Sequence, residues 1–385
     1  MRFFAAYIVL LSHVDLTLAL IGLPNNWFNS WELAETGHGA TIWGALDGKP
    51  MSLLQALIHE MGSMAVVFFF VLSGFLITLL LLRENRECGQ IDIRRFYLRR
   101  ILRIWPLYFL VVILGLYVLP ELGEAFHVKS QSPNLEGDWR ALDLPYLLIL
   151  PNLSVGLMSG GHPPNIGQAW SIGVEEQFYL FWPLLFLLVR NRPKWLTVFI
   201  GSLVMVKFIL LEFGAPRWLQ VFMATMKFES MAIGGLGAFL YHNHSATLHS
   251  YSTRHWTLLG VLGIFGVVFS FWLCPSVLQD GLFIIQSVLF LLVILYGVMV
   301  PNRMPDGLKK MLIWLGQRSY GIYMWHMMFL TLVANGLKPI LGEDKYSALP
   351  LAVISSVLTI VVCQLSYKYY ELPFLKLKER FGTPS

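Results

Sequence analysis

The sequence predicts an all-α fold: a polytopic integral membrane protein of about ten transmembrane helices plus a re-entrant or surface segment, with both termini cytoplasmic. Three observations predict it. Hydrophobic residues make up 56% of the 385-residue chain and charged residues 13%, with a mean hydropathy of +0.62; soluble domains average about 25% charged. Apolar runs of spanning length recur at 3–22, 63–83, 104–120, 170–189, 196–213, 228–241, 256–274, 281–300, 319–336 and 349–369. Basic residues cluster beside these runs, and putting every cluster on the cytoplasmic side gives one consistent alternation.

Those clusters are Arg94, Arg95, Arg99, Arg100 and Arg103 before the third run; Arg190, Arg192 and Lys194 after the fourth; and Arg254 before the seventh. Arg303, Lys309 and Lys310 follow the eighth, and Lys376, Lys378 and Arg380 the tenth. The net charge of +5 therefore reports orientation in a lipid bilayer and not nucleic-acid binding. Cys88, Cys274 and Cys363 lie far apart without a CxxC pair, so neither a disulfide framework nor a metal site is expected. The first apolar run is too long for a signal-peptide core and lacks a small-residue cleavage site before Pro24-Asn25-Asn26. With no internal repeat and no low-complexity tract, residues 1–385 read as one membrane domain.

The first helix, MRFFAAYIVLLSHVDLTLALIG, carries Arg2 at its mouth and His13 and Asp15 in its middle. Ionisable groups at that depth are expensive and usually functional. Eleven residues separate Arg2 from His13, which places them within about 20° of one face and about 16 Å apart along the axis; Asp15 lies about 200° round from His13. A histidine here can also simply hydrogen-bond a neighbouring helix. The loop over 23–62 falls outside on this topology, and its Trp, His, Asn and Asp content suits either a lid or an interfacial loop.

In the second helix, FFFVLSGFLITLLLL, Ser73 and Gly74 interrupt a lipid-like sequence and permit close approach of a ligand or of another helix. Before the third, Arg95, Arg99 and Arg103 are spaced by four and line one face, with Arg100 about 100° away. Five arginines and no lysine suit bidentate phosphate recognition, by anionic lipid headgroups or by a phosphorylated small molecule such as the nucleotide end of coenzyme A. Counting 144–159 as a span would turn the RNRPK stretch outward, and Pro145 and Pro151 interrupt it. This is the re-entrant or surface segment, leading into the Gly/Pro-rich loop 160–168.

The fourth helix sets Ser171, Glu175 and Tyr179 in one stripe, with Glu176 about 100° away. Adjacent carboxylates near a helix end suit proton transfer or the holding of an imidazolium, or an interhelical ion pair. Lys227 and Glu229 open the sixth helix. The ninth puts Ser319, Tyr323 and a second intramembrane histidine, His326, on one face. Lys368 and Glu371 close the last span as an end-of-helix anchor.

Taken together, Arg2 with His13, FFFVLSGFLI, RRFYLRRILRIWPLY, WSIGVEEQFYLFWPL, LGQRSYGIYMWH and YYELPF resemble the acyltransferase-3 family of membrane O-acyltransferases, in the family's order and over essentially the whole chain. The resemblance implies an enzyme that takes an acyl group, usually acetyl, from cytoplasmic acyl-CoA and delivers it to a hydroxyl, most often of a sugar, on the outer side of the membrane. The family's first-helix arginine and histidine fall on Arg2 and His13, its serine-glycine motif on Ser73 and Gly74, its basic motif on Arg100 and Arg103 with Arg99 adjacent, and its glutamate motif on Glu175 and Glu176. Relatives usually carry a short lead before this arginine. They often add an SGNH-type esterase-like domain, which this sequence lacks, so transfer to the acceptor is expected of the membrane domain or of a separate partner.

The expected chemistry follows from what acyl transfer needs. A base must take the hydroxyl proton, donors must meet the oxyanion, and water must be kept out. His13 is expected as general base, or alternatively as transient acyl carrier, with Glu175 or Glu176 orienting the imidazole and Arg2 as a further catalytic residue. Substrate contacts are expected from Arg99, Arg100, Arg103, Ser73, Gly74, Ser171, Tyr179, Tyr323 and His326. No cofactor is expected, acyl-CoA being a donor substrate; the partners are the bilayer and a carbohydrate acceptor, with homo-oligomerisation open and location in the cell inner membrane. A proton-coupled transporter or flippase of a sugar or lipid-linked glycan is the alternative, disfavoured by the missing inverted repeat and by an arginine stripe for which it has no use. A non-catalytic receptor or assembly factor fits the intramembrane charges less well.

Overall fold

A computed structural model describes residues 1–20, 53–122, 143–157, 163, 165–270, 279–301, 304–341 and 348–381. Among them the chain is helical, without strands. In order run α1 (Arg2–Leu20), α2 (Leu53–Cys88), α3 (Ile93–Ile113), α4 (Asp143–Leu147), α5 (Pro151–Leu157), α6 (Ala169–Val189), α7 (Trp195–Glu212) and α8 (Arg217–Thr225). There follow α9 (Phe228–Asn243), α10 (Ser245–Ser250), α11 (Thr253–Ser270), α12 (Gln279–Met299), α13 (Asp306–Leu341), α14 (Ala348–Ser366) and α15 (Leu372–Glu379). The described part of each of the ten apolar runs falls on a helix. Among the described residues six stretches are long and apolar enough to cross a membrane: Met61–Cys88, Ile93–Leu122, Ala169–Val189, Thr253–Ser270, Leu282–Met299 and Ala348–Glu379. The chain is thus a multi-pass helical membrane protein. Most of the loop over 23–62, the side chain of Asp15, Cys274, Arg303 and residues 158–162 and 164 of the glycine-proline loop lie outside the described residues.

Several elements outrun their apolar runs. Helices α2 and α13 each reach 36 residues, because helix-forming polar residues continue the backbone past the apolar stretch. Helix α2 stops where Gly89 takes a left-handed φ of 70° and its N–H caps the Asn85 carbonyl at 3.0 Å. Pro106 and Pro183 sit inside α3 and α6, as membrane helices tolerate; near Pro106 the hydroxyls of Tyr320 and Tyr370 donate to the carbonyls of Ile104 and Pro106 at 2.8 and 3.1 Å. The 144–159 segment forms two helices of 5 and 7 residues, too short to span. The turn between them holds Ile149 at a φ of 61°, a strained setting for a β-branched residue. Beside it, burial and the Asp143 carboxylate push the Tyr146 phenol above its ordinary pKa.

The chain divides into two compact units, each assembled from separate stretches: Met1–Ala65, Arg94–Gly173 and Lys310–Ser385 in the first, and Val66–Ile93 and Val174–Lys309 in the second. The first has an apolar seam in which Val14 of α1 meets Met327, Leu330, Val333 and Ala334 of α13 and Ala348, Leu351 and Ala352 of α14. The second is built on close helix approach. A Cβ at Gly74 of α2 would lie 1.8 Å from the Met231 carbonyl of α9, and one at Gly234 of α9 would lie 2.0 Å from the Val71 carbonyl of α2. The two helices therefore meet backbone to backbone, as small residues allow in membranes. The Trp182 indole donates to Thr78 Oγ1 at 3.0 Å and so ties α6 to the same seam. A buried ion pair between Lys207 and Glu229, at 2.6 Å, joins α7 to α9.

Gly74→Val places three carbons where Met231 backbone stands. It should destabilise the protein in detergent by about 1–3 kcal/mol or more, read as a lower melting temperature, while Gly201→Ala inside α7, whose Cβ meets nothing within 4 Å, should leave melting unchanged or raise it.

Candidate active site

The first unit gathers four of the expected residues. Helix α1 presents His13, whose Nδ1–H donates to the carbonyl of Val9, one turn earlier, at 2.7 Å. Only a donor can face a carbonyl, so in the neutral ring the lone pair belongs to Nε2. His13's own helix thus supplies the acceptor for Nδ1–H. Its ring lies 5.1 Å, centre to centre, from that of His326, edge to face at 66°. His326 repeats the arrangement on α13: it is fully buried and its Nδ1–H donates to the Tyr323 carbonyl at 2.6 Å. The seam through Val14 and Met327, the residues that follow each histidine, keeps the two rings in apolar company.

Beyond His326 the polar chain continues. The Tyr323 ring lies 5.6 Å from His326, and its hydroxyl shares a 2.6 Å hydrogen bond with Ser171 Oγ at the start of α6. Ser171 donates to the Gln168 carbonyl at 3.2 Å, and the Gln168 side-chain amide donates to the Met324 carbonyl at 2.5 Å. Gln168 clamps α6 to α13 and was not among the expected site residues; its signal was an amide two residues ahead of Trp170-Ser171. Arg2, half-buried, is the first residue of α1.

A second cluster in this unit is cationic. Arg99 donates to the carbonyl of Phe381 at 3.0 Å, which draws the C-terminal segment to α3. Arg100 stands 6.0 Å from the centre of the Phe96 ring. Lys378 of α15 feels the charges of Arg103, Arg100 and Arg99, with Glu379 as an opposing charge. The sequence marked Lys378 only as a topological flank; its place beside the arginines follows from the return of α15 to α3.

In the second unit, Ser73 of α2 and Tyr179 of α6 both donate to Glu175 Oε1, and the two hydroxyls also touch each other. Two donors thus fix one carboxylate oxygen. Gly74, next to Ser73, serves the packing described above, and Glu176 is half-buried. Among the described residues no three His, Cys, Asp or Glu side chains gather as metal ligands.

The histidine pair and the arginine cluster of the first unit, and the hydroxyl-held carboxylate of the second, are groups suited to acid–base and anion-binding chemistry. The chain belongs to the acyltransferase-3 family: the model of the family's acyltransferase domain matches residues 1–368. It is similar to the peptidoglycan O-acetyltransferase OatA of Listeria monocytogenes, 27% identical over 334 residues that cover 82% of this chain and 51% of that protein. A putative O-acetyltransferase of Staphylococcus aureus strain COL is 26% identical over 361 residues, 86% of this chain and 57% of the relative. The O-acetyltransferase OatA of S. aureus strain NCTC 8325 is 27% identical over 336 residues, 82% and 53%. The chain spans about half the length of the curated relatives it matches. No solved structure matches it.

Because Ser73 and Tyr179 share one carboxylate oxygen, their removal should not be additive. Ser73→Ala, Tyr179→Phe and the double variant, compared by thermal unfolding, should show a coupling of about 0.5–3 kcal/mol; strictly additive effects would mean that Glu175 is not their common partner.

Proposed function

We propose that this protein is a membrane O-acyltransferase that moves an acyl group, acetyl first among the candidates, from cytoplasmic acyl-CoA to a hydroxyl of a cell-surface or periplasmic carbohydrate. The observation that carries this reading is the family match over residues 1–368, which takes in both histidines, both glutamates and the arginine cluster. The L. monocytogenes relative is named for peptidoglycan, so peptidoglycan is the first acceptor to test.

The residues suit the steps. His13, with Nδ1 engaged by the Val9 carbonyl, has Nε2 as the atom to take the proton from the acceptor hydroxyl while that oxygen attacks the thioester carbon. Arg99, Arg100 and Arg103, joined by Lys378, offer guanidinium and ammonium donors to the phosphates of coenzyme A. Ser171 and Tyr323 supply hydroxyls for the substrate. Glu175, Glu176 and Arg2 complete the proposed catalytic set, Glu175 with its oxygen held by Ser73 and Tyr179. The reading places both termini on the cytoplasmic side, with the arginines facing the donor pool.

Mass spectrometry of surface glycans from cells with and without the gene should show the loss of one acetyl increment per modified sugar; identical glycans and an idle purified enzyme would overturn the proposal. His13→Gln should lower turnover by about 10²- to 10⁴-fold while the protein still inserts in the membrane. Arg100→Ala and Arg103→Ala should each raise the apparent KM for acyl-CoA about tenfold with kcat little changed, and an unchanged KM would return the cluster to lipid headgroups.

A further inference from the structure

His326 holds an unused atom. The residue is fully buried, its Nδ1–H is bound to the Tyr323 carbonyl, and among the described residues nothing bonds its Nε2. A buried nitrogen lone pair left unmet is costly, and such groups in native proteins call for an explanation. The nearest titratable ring is His13, 5.1 Å away between centres. Both Nδ1 atoms are committed as donors to carbonyls of their own helices. Any proton that either neutral ring accepts must therefore arrive at Nε2. With no bond between the rings and their centres 5.1 Å apart, transfer between adjacent imidazoles runs through one water. Two imidazolium charges so close would repel, so the pair takes up one proton and not two.

We infer that His13 and His326 form a two-histidine proton relay. This rests on the acyl-transfer reading, in which a proton released at the acceptor must end on the departing sulfur. As the acceptor oxygen bonds to the acyl carbon, its O–H bond breaks and the proton passes to His13 Nε2. His13 hands it to His326 Nε2 and is neutral again. When the carbon–sulfur bond breaks, the electron pair stays on sulfur, and the proton leaves His326 through water to give the free thiol. One proton enters and one leaves, and no redox partner is needed. His326 acts through His13 and is a positioning residue for the proton, not a contact of the reacting carbon.

The test uses the full chain reconstituted in phosphatidylethanolamine–phosphatidylglycerol vesicles, with acetyl-CoA as donor and soluble muropeptides as acceptor probe, followed by thiol release. His326→Gln keeps a polar side chain that does not titrate; it should lower kcat at least about tenfold and leave the KM for acetyl-CoA within about twofold. His326→Gly should regain activity with added imidazole but not with pyrazole, which has the same shape and is a far weaker base. Wild-type kcat in His326→Gln, or equal rescue by both heterocycles, overturns the relay. Should His326→Gly not insert, the glutamine variant decides alone. A wild-type protein that releases no thiol defeats the acyl-transfer reading and the relay with it, an outcome distinct from a fully active His326→Gln.

Discussion

A bare imidazole can sit in an apolar interior only if its N–H finds an acceptor, and in the first unit two backbone carbonyls meet that requirement. Val9 takes the proton of His13 and Tyr323 that of His326. The carbonyls of Val9 and Tyr323 are already part of helices, and a second acceptor interaction uses their remaining lone pair. The rings meet edge to face beside the apolar seam of α1, α13 and α14. The bearing of both rings depends on those two carbonyls.

The second unit solves a different problem. Lipid gives apolar helices little reason to associate with one another, so contact must come from shape and from polar bonds. Gly74 and Gly234 let α2 and α9 touch through their backbones. On the same helix, Thr78 accepts from Trp182 and Ser73 donates to Glu175, both of α6. The Ser73-Gly74 pair thus does two jobs with adjacent residues: the glycine sets the spacing to α9 and the serine bonds α6. Lys207 and Glu229 add a buried charge pair whose members are strongly interdependent, because removing one would leave the other uncompensated.

Much of this was legible in the sequence. Apolar length alone placed a helix at each of the ten runs, and the prolines and the charge alternation kept 144–159 from being counted as a span. Periodicity put Glu175 with Tyr179, and Tyr323 with His326. Helix ends were less legible: α2 and α13 continue through charged residues that hydropathy treats as loops, although charge does not stop a helix. Pairings between distant stretches were not legible at all. Nothing local to SHVD or MWHM states that the two histidines meet, and nothing near Lys378 states that α15 returns to the arginines. The resemblance to a family named the residues, but the tautomer of His13 depends on a carbonyl, and every residue has one.

The bonds that orient the two imidazoles have one more consequence. Each lies within a single helix, from a ring to a carbonyl three or four residues earlier. A base aimed by a neighbouring helix loses its aim when that neighbour slides. These rings travel with their own helices. A shift of α1 against α13 would change the distance between the nitrogens and leave these two bonds intact, so each bond sets its ring's bearing on its own helix axis.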